Sequence, residues 1–80
     1  MDVPKLVKMA NQIAGFFAVE PERAAAVAGV AQHLQRFWEP RMRRELLAEF
    51  DRGGTNGLHE LVVEALRVHR HALQPAAPSV

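Results

Sequence analysis

Val30-Ala31-Gln32-His33-Leu34-Gln35-Arg36-Phe37-Trp38-Glu39-Pro40-Arg41-Met42-Arg43 is the stretch on which the fold turns. Up to Trp38 its apolar residues recur at helical spacing, with Val30, Ala31, Leu34, Phe37 and Trp38 on one side. Pro40 then breaks the pattern, because its ring and its missing N–H exclude it from a helix interior. The same proline is preorganised for the first position of a new helix. One helix therefore ends near Phe37, another begins at Pro40, and the chain turns a corner between them.

Working outward, Pro21 opens the helix that leads into this corner, over about residues 21–37, with Ala24 and Val27 extending its apolar stripe. The helix after the corner runs over about 40–52 and carries Met42, Leu46, Leu47 and Phe50 on its apolar face. Gly53-Gly54-Thr55-Asn56-Gly57 is a stop and turn signal. A fourth helix follows over about 58–73, aligning Leu58, Leu61, Val62, Ala65, Leu66 and Leu73. Upstream, Pro4 opens a first helix over about 4–17. Its apolar side takes in Val3, Leu6, Met9, Ala10, Ile13, Phe16 and Phe17, an arc of roughly half the cylinder, wider than the roughly 100° that one neighbour needs. Helix 1 is thus either central or has a second apolar surface to cover. Short loops favour antiparallel neighbours. The expectation is an all-α fold, a compact bundle of three to four short helices forming a single domain over 1–73, with a loose tail at 74–80.

The composition narrows the function. Eighty residues bury only roughly 60–65% of their unfolded surface, so stability is marginal unless something staples the fold. There is no cysteine, hence no disulfide, no thiolate metal site and no Cys-ligated iron–sulfur cluster. A net charge of +1 marks neither a nucleic-acid nor a membrane-surface binder. No apolar run approaches the roughly 18 residues of a bilayer span. Lys5 and Lys8 precede helical periodicity instead of a solid apolar run, so a signal peptide is not expected and a cytoplasmic location is.

Raw material for chemistry is scarce. On one helix His69 and His71 point about 200° apart and cannot share an ion, and neither His33 nor His59 has a ligand partner at helical spacing. One inner histidine and three surface ones are expected. The only hydroxyls are Thr55 in the glycine-rich turn and Ser79 near the end, neither held against a base. The glycine turn lacks the lysine and the strand-to-helix setting of a phosphate loop. No catalytic, cofactor-binding or metal-ligating residue is assigned.

The corner is different. Arg41, Arg43 and Arg44 crowd the first turn of a helix, where positive charge opposes the macrodipole by roughly 0.3–1 kcal/mol each. Arg43 lies near the centre of that helix's apolar face and must snorkel or find an acid or a backbone carbonyl. Phe37, Trp38, Arg41, Arg43 and Arg44 are therefore nominated as a partner-binding surface.

Three blocks occur in a telling order: residues 9–17 (MANQIAGFF), residues 30–43 (VAQHLQRFWEPRMR) and residues 57–66 (GLHELVVEAL). Together they resemble the delta subunit of the bacterial cytosolic, NAD-dependent, molybdenum-containing formate dehydrogenases, over roughly residues 7–66. The middle block is the specific one, since core packing alone does not generate it. The resemblance implies an accessory subunit that docks onto the large catalytic subunit and supports assembly, stability or maturation of an enzyme that oxidises formate to carbon dioxide with NAD. It implies that molybdopterin, iron–sulfur clusters and FMN sit on the larger subunits and none on this chain. Isolated, such a chain is expected to be weakly stable or to form a homo-oligomer. The alternative reading is a small helical dimeric regulator or nucleic-acid-binding protein; the near-neutral charge argues against it.

Overall fold

The computed structural model describes residues 2–75. Five helices follow one another with no strand among the described residues: α1 (Val3–Phe17), α2 (Arg23–Phe37), α3 (Pro40–Asp51), α4 (Glu60–Val68) and α5 (Arg70–Leu73). The all-helical bundle read from the sequence is the observed one. Of the expected tail, the part beyond Pro75 lies outside the described residues.

The core is aliphatic, with one large aromatic. Leu6, Ala10 and Ala14 of α1 bury against Ala26, Val27, Val30, Ala31 and Leu34 of α2. On its other side α2 packs most extensively on α4, which contributes Leu61, Val62, Ala65 and Leu66. Leu46 and Leu47 of α3 close the bundle. Small residues along the facing stripes let the axes of α1 and α2 approach. The limit is reached at Gly29, where a Cβ would fall 2.6 Å from the ring of Phe17. Phe17 lies on the α2 backbone for that reason.

Helix boundaries follow the punctuation with three corrections. The second helix begins at Arg23, not at Pro21, with Glu22 at the N-cap. The last long helix was expected to run unbroken over 58–73. It begins at Glu60 and is interrupted at His69 (φ −105°, ψ 23°), which ends α4 and starts α5. The break lets α5 pack on α2 and buries Leu73. It also brings Arg70 to α3, where its guanidinium donates to both oxygens of Asp51, at 2.7 and 2.6 Å. Finally, Ala24 and Phe37 were placed on the apolar stripe of the second helix, yet both are exposed. Trp38 leaves helical geometry (φ −87°, ψ 139°), and its indole, not the Phe37 ring, enters the core.

The glycine turn is built as its sequence demands. Gly53 takes φ 80°, in the left-handed region that favours glycine. The Gly54 N–H donates to the Glu49 carbonyl and the Gly53 N–H to that of Phe50, both at 3.0 Å. This is the Schellman pattern that closes a helix C-terminus.

The Asp51–Arg70 contact carries a pH prediction. The hydrogen bond from Arg70 holds the Asp51 carboxyl below its ordinary range. A carboxylate with a depressed folded pKa contributes stability above its unfolded pKa and loses it as pH falls through the folded value. Acidification below about pH 4 should therefore loosen α5 from α3. Amide chemical shifts of residues 70–74 followed against pH check this, and Asp51→Asn should remove that transition.

Candidate docking surface

The corner and α1 together form a concavity on the described surface. Met9, Ile13 and Phe16 supply one wall from α1, and His33 and Phe37 the other from α2. Trp38 and Met42 complete the lining, and the open groove has a volume of about 600 Å³. Its rims are large aromatics in water: Phe16 is 74% exposed and Phe37 69%. Both are held in place. Phe16 meets Phe17 edge-on at 5.2 Å, and Phe17 is seated on Gly29. The His33 ring meets Phe37 in a tilted contact, centroids 4.8 Å apart, while its Nδ1 is buried without a hydrogen-bond partner among the described residues. This is the second apolar surface that the wide arc of the first helix required.

The five nominated residues do not all meet. Phe37 and Trp38 line the groove together, although Trp38 is only 6% exposed and belongs mainly to the core. Arg41 stands exposed beside Met42, and Arg44 is exposed one residue beyond Arg43. Arg43 turns elsewhere: its guanidinium donates to the Leu73 carbonyl at 3.2 Å, tying α3 to α5. That is the backbone-carbonyl solution expected of an arginine on an apolar face, and it leaves Nε buried with no partner. Arg43→Met keeps the aliphatic stem and removes the orphaned donor, whereas Arg43→Ala removes the packing too. Thermal melts should show Arg43→Ala losing about 1–3 kcal/mol and Arg43→Met distinctly less.

The nomination missed Met9, Ile13, Phe16 and His33. The signal for the first three was the arc of helix 1, which periodicity revealed without showing what it faces; His33 lies on α2, outside that arc. The histidines distribute otherwise than by a metal site. His59 caps α4, its Nδ1 accepting the Leu61 N–H at 3.0 Å, and His69 forms the α4–α5 junction. No three His, Asp or Glu side chains converge as metal ligands among the described residues.

Charge is unevenly satisfied around the bundle. Arg23 pairs with Glu64 at 2.8 Å and Glu60 at 3.5 Å, Arg52 with Glu49, and Arg70 with Asp51. The hydrogen bond that Arg23 donates to Glu64 chiefly raises the Arg23 pKa above its ordinary value. Lys5, Lys8, Arg36, Arg41 and Arg44 form no ion pair with a described residue. No helix among the described residues is long and apolar enough to cross a membrane.

The family model of the NADH-dependent formate dehydrogenase delta subunit, FdsD, matches residues 5–66. The chain belongs to this family. The match spans most of α1, all of α2 and α3 and most of α4, so it contains every residue lining the groove. No curated protein and no solved structure matches the chain. As a delta-subunit family member it is named for a formate dehydrogenase complex. The chain has no cysteine and so offers no thiolate to an iron–sulfur cluster. The lining of the groove is largely apolar.

Proposed function

We propose that the chain is a non-catalytic accessory subunit of an NAD-dependent, molybdenum-containing formate dehydrogenase in the cytoplasm, binding the large catalytic subunit to support assembly, stability or maturation of the complex. Family membership over residues 5–66 is the observation that carries this reading. The groove supports it: a domain this small gains nothing for its own fold by holding Phe16 and Phe37 in water, and contiguous apolar surface rimmed by polar groups marks interaction sites. In this reading molybdopterin, iron–sulfur clusters and FMN reside on the larger subunits. This chain contributes shape and binding energy only. Phe37, Trp38, Arg41, Arg43 and Arg44 remain the proposed contact corner, with Trp38 and Arg43 acting from beneath by fixing its geometry.

The test is affinity isolation from the native host, with a tag after the last residue and mass spectrometry of what accompanies the chain. Formate dehydrogenase subunits in fixed proportion are the expected result. Elution as a lone dimer, or with nucleic acid, overturns the proposal in favour of a helical regulator.

A further inference from the structure

Resting on the subunit reading, we infer that the groove between α1 and the α2–α3 corner receives an acidic amphipathic α-helix of a partner subunit. Its apolar residues would seat between Phe16 and Phe37, and its carboxylates would meet the cations around the rim.

Two independent observations fix the chemistry. The first is shape. The α1 wall runs from Met9 to Phe16, seven residues or about 10 Å, close to two helical turns. A groove of that length matches an inserted helix presenting anchors at i, i+3/i+4 and i+7. Addition of an extended segment to a sheet edge has no template, since no strand occurs among the described residues. The rims are preorganised by Gly29 beneath Phe17 and by His33 against Phe37, so little ordering cost attaches to binding.

The second is charge. Lys5 leads at i+4 into Met9, and Lys8 at i+4 into Gln12, which itself lines the groove. Arg36 adjoins the opposite wall, sharing a shallow depression with Phe17, His33 and Phe37. Arg41 is exposed and directly precedes Met42, which lines the groove. None of these four cations pairs with a described carboxylate; away from the groove Arg23, Arg52 and Arg70 do, and Arg67 does not. Glu39 and Glu45 are the acids of the same corner, so the rim keeps an excess of positive charge. That excess disfavours a second copy as the occupant. A two-fold contact sets one patch against itself, and here it would face cation to cation. Opposite charge on a partner instead speeds encounter and fixes register.

The test uses the intact complex from the native host. Phe16→p-benzoylphenylalanine places a photo-crosslinker on the groove rim, with the same substitution at exposed Val68 on α4 as the control. The expected adduct from position 16, mapped by mass spectrometry, is an acidic amphipathic helix of another formate dehydrogenase subunit. In parallel, Phe16→Ser with Phe37→Ser should reduce co-purification at least tenfold with circular dichroism and melting unchanged, since both rings are exposed. Lys8→Glu with Arg41→Glu should weaken it too. An adduct on a second copy of the chain, or on a basic or extended segment, overturns the inference. So does wild-type co-purification of the double serine variant, and in each of these cases the subunit reading survives. If the unsubstituted chain brings down no formate dehydrogenase subunit, the subunit reading itself fails, and the groove inference with it.

Discussion

Trp38→Ala is expected to unfold the free chain or lower its melting temperature by at least about 12 °C. The indole is the largest side chain of the buried core. It stands where α2 ends and α3 has not begun, so it packs the bundle at the corner the chain must turn. Truncating a buried tryptophan costs about 3–5 kcal/mol. A chain of this length has a total stability of roughly 4–12 kcal/mol. Each kcal/mol moves the midpoint of so small a domain by about 4–8 °C. Phe37→Ala, one residue earlier, removes a ring already in water and should stay within about 0.5 kcal/mol of wild type. Circular dichroism melts of the two free variants make the comparison. Equal melts for Trp38→Ala and wild type would show that the indole is not a core residue.

Asn11→Ala is expected to cost about 2 kcal/mol. Both faces of this amide are used. Its Nδ2 donates to the Gly57 carbonyl at 2.7 Å, and its Oδ1 accepts the half-buried His59 N–H at 2.8 Å. One side chain on α1 thereby fastens the end of the glycine turn and the first residue of the α4 cap, 46 and 48 positions away. Removing it takes away two hydrogen bonds and leaves a half-buried donor unpaired, the costlier of the two losses. Asn11→Asp should fall in between. It can still accept from His59, but it brings a second acceptor to the Gly57 carbonyl. Chemical denaturation gives the stabilities, and hydrogen exchange at His59 should accelerate in step with them. Unchanged exchange in Asn11→Ala would mean the clamp does not hold the loop.

Several of these residues were visible in the sequence and others were not. Pro40 and the five residues from Gly53 to Gly57 announced their breaks, because a missing N–H and a left-handed backbone act on the chain locally. The buried stripe Leu6, Ala10 and Ala14 was partly legible for the same reason: helical period is a property of one segment. The candidate docking surface was half legible. The wide arc of helix 1 said that apolar surface was left over, and the arginine-rich corner said that charge was misplaced for folding alone. That the two adjoin was not legible, since Phe16 and Phe37 stand 21 residues apart and meet across a groove only after α1 packs on α2.

The sequence by itself determined the all-helical class, the breaks at Pro40 and at the glycine turn, the absence of any thiol and the family. All of these rest on residue identity and near-neighbour spacing. Only the tertiary structure decided that Trp38 turns in while Phe37 stays out, that Asn11 clamps the loop, and that Arg43 is satisfied by a carbonyl of α5. It likewise decided that the last helix breaks at His69. Each of these is a choice between conformations of similar local energy, settled by a partner many residues away that becomes available only when the helices meet.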